Sequence, residues 1–262
     1  GVLDAETSEA TNIGLVLTPR NINFRLSIDY YEIEVNDEVS RLGAPGIVGG
    51  CYNSEDFANE PLCDLFTRNS PTDPGPYLIN TVRDSFININ SQINRGVDIN
   101  ADYLHQFDFG DLSVNLSAAY QLEDKTDLLG GVVYDVNGEG GDPKLVGDLS
   151  FTFVRNDWTA YWGMRYVGPT SNRQSYGNAA QTYVGQPVNY KLWTETTIYH
   201  NVSLQRTFGD WSARVGVSNV FDEHPPSVTA ISGEYNTVGR SAFYSQYDWF
   251  GRRFFANIVR TF

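Results

Sequence analysis

The residues able to do chemistry are few and scattered. His occurs three times, at His105, His200 and His224, and Cys twice, at Cys51 and Cys63. That leaves little material for a zinc or haem site. Neither Gly-x-Ser-x-Gly nor His-Glu-x-x-His occurs, so the local signatures of the common hydrolases and zinc peptidases are missing. A hydrolytic triad stays open as a minor alternative, because triads are recognised by geometry and not by spacing. Asp135-Val-Asn137-Gly-Glu139-Gly-Gly-Asp142 alternates oxygen ligands of the kind that hold Ca²⁺. It lacks a twelfth-position Glu, and acidic Gly-rich turns are common without metal. No metal and no organic cofactor is expected. Cys51 and Cys63 share a stretch rich in Gly, Asn, Asp and Pro. A disulfide there fits an oxidising compartment; the alternative is two free thiols in a flexible loop.

These residues must be placed by strands. Leu112, Val114, Leu116, Ala118 and Tyr120 alternate with Ser113, Asn115, Ser117 and Ala119. Leu149, Phe151 and Phe153 alternate with Asp148, Ser150 and Thr152, and Trp158 to Tyr166 and Ala213 to Val217 follow the same period of two. Further strands read at about 8–19, 22–35, 85–106, 193–208 and 243–262, making nine, with almost no helix. Short connections at 18–21, 108–111, 155–157 and 208–210 alternate with long ones at about 38–84, 124–143, 170–192 and 222–242. The fold class expected is all-β, an antiparallel up-and-down sheet with short turns at one end and long loops at the other. Membrane barrels have this asymmetry. Strands of this length exceed those of ordinary sandwiches, although alternation alone also fits a soluble β-domain.

Composition narrows the partners. Asp+Glu number 32 against 18 Lys+Arg, a net charge of −14, which repels phosphate backbones and argues against nucleic acid. No run approaches 18 apolar residues, which excludes a transmembrane helix but not barrel strands. Residues 1–12 are polar and carry no signal-peptide pattern, so a mature product or a piece of something longer is expected.

Four stretches resemble the C-terminal barrel of TonB-dependent outer-membrane receptors, in family order along nearly the whole chain. They are Leu26-Ser-Ile-Asp-Tyr-Tyr-Glu-Ile-Glu-Val35, Asn94-Arg-Gly-Val-Asp-Ile-Asn100, Gly216-Val-Ser-Asn-Val-Phe-Asp-Glu-His-Pro-Pro226 and Tyr247-Asp-Trp-Phe-Gly-Arg-Arg-Phe-Phe255. The last two are the most specific. The resemblance implies a barrel of about 22 strands around an N-terminal plug. Residues 1–262 would then be a C-terminal portion of about nine strands, with the plug domain absent from this chain. It also implies a terminal aromatic, Phe262, that presents the barrel to its assembly machinery. Arg260 departs from the apolar or aromatic residue more usual at its position and would snorkel to periplasmic headgroups.

The same resemblance gives the candidate site. Arg25, Arg165 and Arg214, with Asp98, Asp102 and Asp148, lie on the polar face of their strands. They would contact the plug or a solute, or form an inter-strand charge ladder. Tyr176, Tyr183 and Tyr235, on long polar loops, would stack on a solute or pack loop against loop. The implied activity is TonB-dependent active import of a scarce solute (siderophore, cobalamin, saccharide or peptide) across the bacterial outer membrane, without enzymatic chemistry. Implied partners are outer-membrane lipid and lipopolysaccharide, the plug and remaining strands, the energy-coupling TonB protein through the plug, and the barrel assembly machinery. A passive porin-like or surface-anchoring barrel is the alternative, and a soluble glycan-binding domain a third.

Overall fold

The computed structural model describes residues 3–88, 91–128, 132–173, 180–230 and 235–261. Nine long strands account for the sheet: β1 Thr7–Leu17, β2 Asn23–Asn36, β3 Ser91–Phe107, β4 Gly110–Leu128, β5 Leu145–Arg155, β6 Trp158–Val167, β7 Thr197–Phe208, β8 Trp211–Ser218 and β9 Arg253–Arg260. They pair strictly in chain order, and the short strand Val132–Asp135 adds to β4. Each pairing from β4 to β9 is antiparallel. No pairing joins β1 to β9 among the described residues.

Because antiparallel partners directly opposite share a face, the register sorts side chains into rows. Val114, Phe151, Trp162, Val202, Val217 and Phe254 form one apolar row across β4–β9. On the other face, Asn115, Ser150, Gly163 and Asn201 align, as do Ser117, Asp148, Arg165 and Tyr199. The apolar rows are uncovered: Trp162 is 44 %, Val202 37 % and Phe254 77 % exposed. The buried residues lie elsewhere, at Ile47, Cys51, Leu62, Val167, Leu192, Tyr199, Val228, Tyr235, Ala242 and Tyr247. A water-soluble sandwich would bury its apolar face against a second layer; here the core sits among the loops. Paired backbone with bare apolar side chains, as in the strands between β1 and β9, is the arrangement that lipid accepts. No helix among the described residues is long and apolar enough to cross a membrane.

By contact density the chain divides into two compact units. The first, Gly1–Thr11, Tyr31–Arg95 and Glu123–Val136, holds the first long loop. That loop contains the helix α1 Gly43–Asn53 and two 3₁₀ turns, Phe57–Asn59 and Pro61–Leu65. The sequence reading left 38–84 without helix, and the structure corrects it. Four glycines lower the helix propensity of α1, but Ile47 and Cys51, one turn apart, are both buried, as is Leu62. The Cys51–Cys63 disulfide joins α1 to the second 3₁₀ turn, Cα to Cα 4.9 Å. In the same unit Arg95 bridges Glu32 at 3.7 Å and Glu123, and Glu123 also pairs with Lys125.

The second unit, Asn12–Tyr30, Gly96–Leu122 and Asn137–Phe262, contains β5–β9 and their loops. Three strand limits differ from the sequence reading. The strand expected at 85–106 begins at Ser91, that at 193–208 at Thr197, and that at 243–262 at Arg253. In the last two cases the displaced residues turn away to build the loop cluster described below.

Two expectations test this architecture. Val202→Arg, in the middle of the apolar row, should disfavour membrane insertion by about 2–4 kcal/mol, read as the folded fraction on unheated gels, whereas Ser203→Arg on the opposite face should insert normally. Cys51→Ser should destabilise the first loop by about 3 kcal/mol, seen as faster protease cleavage between residues 54 and 62 with the sheet still protected.

Candidate functional site

On the polar face, side chains meet that chain order keeps apart. Arg165 Nε lies 3.5 Å from Asp148 Oδ1 on the neighbouring strand, with both groups more than half exposed. A pair that open to water holds position weakly and leaves most of its hydrogen-bonding capacity to something else. Arg165 and Asp148 line a cavity of about 500 Å³ with Asp98, Asn100, Ser245 and Gln246. A second cavity, about 260 Å³, shares Arg165, Ser245 and Gln246 and adds Tyr199, Asn201, Asp248 and Arg253. Gln246, which lines both, has its Nε2 buried without an acceptor among the described residues. Asp248 pairs with Arg253 at 3.1 Å, and its backbone N–H donates to the Tyr199 hydroxyl, 3.0 Å.

A third cavity, about 420 Å³, lies among Thr152, Tyr161, Asn201, Gln205, Arg214 and Phe255. There Arg214 donates twice to Gln205 Oε1, at 2.9 and 2.6 Å. Arg25 pairs with Asp102 at 2.6 Å. Of the six charged residues expected on this face, Asp98, Asp148 and Arg165 therefore share one cavity, Arg214 lines another, and Arg25 and Asp102 hold each other. Gln246, Tyr199, Asp248 and Arg253 are additions. Arg253 and Asp248 lie inside the last sequence motif, where they read as family signature and not as cavity lining.

The loop cluster above these cavities is a core in its own right. Val167, Val228, Tyr235, Ala242 and Tyr247 are buried together, with Tyr244 and Trp249 packed against them. Several of its hydroxyls are tied: Thr170 Oγ1 shares hydrogen bonds with Thr194 Oγ1 at 2.9 Å and with the Tyr235 hydroxyl at 3.0 Å. Tyr235, expected on a solute-facing loop, is only 6 % exposed and packs loop against loop. Burial pushes its phenol up to about 12, against which the Thr170 hydrogen bond works. Burial also raises the Tyr247 phenol. Tyr183 closes the short strand Ala180–Tyr183, paired with Gln186–Asn189, whereas Tyr176 and Phe262 lie outside the described residues.

The acidic Gly-rich turn belongs to this cluster. Gly138 N–H donates to the Asp142 carbonyl, Asp142 N–H to the Glu139 carbonyl, and Gly140 N–H to Asn172 Oδ1. A Cβ on Gly140 would meet Tyr235 at 2.6 Å, and one on Gly141 would meet Tyr244 at 2.9 Å. Those glycines admit tyrosine rings. Asp135 ends the short strand beside β4, and Asn137 donates to the Leu122 carbonyl. Among the described residues no three His, Cys, Asp or Glu side chains are grouped to hold a metal.

The two most specific sequence motifs meet at the foot of this cluster. Asn219, buried and at φ +51°, accepts the Glu223 N–H and donates to the Glu223 carbonyl, both at 2.8 Å. Asp222 Oδ1 accepts the Arg252 N–H at 2.7 Å, and a Cβ on Gly251 would sit 2.8 Å from that same oxygen. One motif is thus the capping partner of the other.

The sequence profile described as TonB dependent receptor-like, beta-barrel matches residues 1–220. The chain belongs to that family. No curated protein sequence matches it. Among solved structures it is similar to a ferric enterobactin receptor, PfeA, from Pseudomonas aeruginosa (TM-score 0.59, 15% identity, 99% of this chain and 32% of that one). It is also similar to the siderophore receptor PirA from Acinetobacter baumannii (0.58, 15%, 98% and 32%) and the FrpB iron transporter from Neisseria meningitidis (0.54, 12%, 98% and 31%). At these identities the likeness establishes the fold, and this TonB-dependent receptor barrel chain spans about a third of each structure.

The buried phenol makes the cap sensitive to alkali. The ordinary tyrosine value is 10.0 and that of Tyr235 about 12, so the raised value contributes stability below pH 10 that is lost as pH rises through 12. Tyr235→Phe should reduce that alkaline sensitivity, Tyr247 supplying the remainder, as read by ultraviolet tyrosinate titration, and cost about 1 kcal/mol through its lost hydrogen bond. Tyr235→Ala should cost about 3–5 kcal/mol and expose the loops to protease at neutral pH.

Proposed function

We propose that this chain forms the closing wall and several loops of a receptor that actively imports a scarce solute across the bacterial outer membrane, driven through TonB. The observation that carries the reading is the set of connected polar cavities around Arg165 and Gln246, beneath a loop cap fixed by its own core, in a chain of this family. Weakly paired polar groups such as Arg165 and Asp148, set behind an uncovered apolar face, suit a passage in which a polar solute exchanges water for wall contacts.

The proposed whole is a barrel of about 22 strands, of which residues 1–262 are the C-terminal part. An N-terminal plug, the remaining strands and the coupling protein come from outside this chain. Outer-membrane phospholipid and lipopolysaccharide surround it, and the barrel assembly machinery inserts it by way of Phe262. Solute classes are siderophore, cobalamin, saccharide or peptide. The siderophore receptors among the structural relatives favour the first. Arg165, Asp148 and Asp98 would hold solute or plug in the larger cavity, with Arg25, Asp102 and Arg214 along the same face; Tyr183 and Tyr176 belong to loops that would meet solute first.

The test is uptake of labelled ferric siderophore by cells producing the complete protein. Active import should stop on adding a protonophore, and Arg165→Ala should raise the half-saturating concentration about tenfold or more at unchanged surface level. Uptake insensitive to the protonophore, together with steady ion conductance of the purified protein in planar bilayers, would instead establish the passive barrel.

A further inference from the structure

The apolar face of β5–β9 ends in positive charge at the short-turn end. Across β5–β9 its positions run Leu145 to Phe153, Trp158 to Tyr166, Ile198 to Leu204, Ala213 to Val217 and Phe254 to Ile258, with no Asp, Glu, Lys or Arg among them. At the short-turn end the register then sets Arg155, Trp158 and Arg206 side by side on three successive strands. One row further, Trp211 faces Arg260. Arg206 Cζ lies 5.2 Å from the Trp158 ring centre, and Arg260 Cζ lies 5.4 Å from that of Trp211. All three arginines are exposed.

We propose that Arg155, Trp158 and Arg206, extended by Trp211 and Arg260, bind the phosphate headgroup of an anionic phospholipid. The inference rests on the reading of the apolar face as lipid-facing. Arg155 and Arg206 flank one indole at two strand spacings, about 10 Å, which is wide enough to grip a headgroup from both sides. Neither arginine forms an ion pair with a carboxylate among the described residues, although Asp157 and Asp210 occupy turns at the same end. Those turns are engaged through their backbone, the Asp157 and Asp210 carbonyls accepting from Thr207 and Thr261.

A guanidinium resting over an indole keeps its in-plane N–H groups for an anion and matches phosphate geometry better than an ammonium does. The indole meanwhile seats itself at the boundary between acyl chain and headgroup. In a chain of net charge −14, three arginines gathered at one end of an otherwise uncharged face give that face a polarity. The end with short turns is matched to the leaflet whose anionic lipids are phospholipids.

The complete protein, reconstituted in phosphatidylcholine vesicles, tests this with brominated lipids that quench tryptophan on contact. Brominated phosphatidylglycerol and brominated phosphatidylcholine are compared at equal mole fraction, and the difference between wild type and Trp158→Phe isolates the Trp158 signal. Phosphatidylglycerol should reach Trp158 at least fivefold more effectively, about the gain expected for one arginine near an anionic surface. In Arg155→Gln/Arg206→Gln the two lipids should become equal. Equal quenching in the wild type would overturn the site while leaving the apolar face lipid-facing, since Trp162 would still be quenched by both lipids. If neither lipid reached Trp158 or Trp162, the lipid-facing reading would fail, and the site with it.

Discussion

The continuous antiparallel ladder is the constraint on which the rest depends. Nine strands paired in chain order satisfy the backbone between the two edge strands, β1 and β9, and only a satisfied backbone can carry a face of bare Trp, Phe, Val and Leu into a solvent without hydrogen bonds. The apolar side chains do not hold the sheet together by packing on a second layer, as they would in a sandwich. They make the surroundings acceptable, while cohesion comes from the ladder and from cross-strand pairs. A histidine on that face follows the same rule, since His200 accepts the Trp162 indole N–H at 3.2 Å.

With the apolar face given to the surroundings, the core moves to where the chain would ordinarily be loosest. The Tyr235–Tyr247 cluster and its threonine hydroxyls convert long connections into a packed body, and the disulfide does the same for the first long loop. On the polar face Gln246 Nε2 is left without a partner among the described residues, against the tendency of buried polar atoms to find partners. Such departures gather where something else is to be bound.

The strands were legible because period two survives wherever two faces differ, and the alternation of short and long connections carried the topology. The resemblance of four motifs carried the family. What the chain order hid depends on side-chain meetings across it. Gly43–Asn53 hid as a helix because its glycines signal turns while its stabilising contacts come from Leu62 and a disulfide. Gly140 and Gly141 suggested a cation loop, because from sequence alone a glycine that admits a tyrosine ring is indistinguishable from one that bends a ligand loop. Tyr235 could not be assigned between solute contact and loop packing from sequence, because its burial is made by residues from 167 to 247. Gln246 gave no signal, since one amide among Ser, Tyr and Asp carries no pattern.

The clamp between Asp222 and Arg252 has a thermodynamic consequence. The segment it closes is long, and a free loop of that length would sample many conformations. Here it is gripped at its base by Asn219 and Asp222 and again along its length by the Val228–Arg240 hydrogen bond and the buried Ala242. In the described stretches of that segment, 223–230 and 235–251, conformational entropy is therefore surrendered on folding. A molecule that comes to rest against those stretches meets a surface already ordered, so little of its binding energy is spent on ordering them.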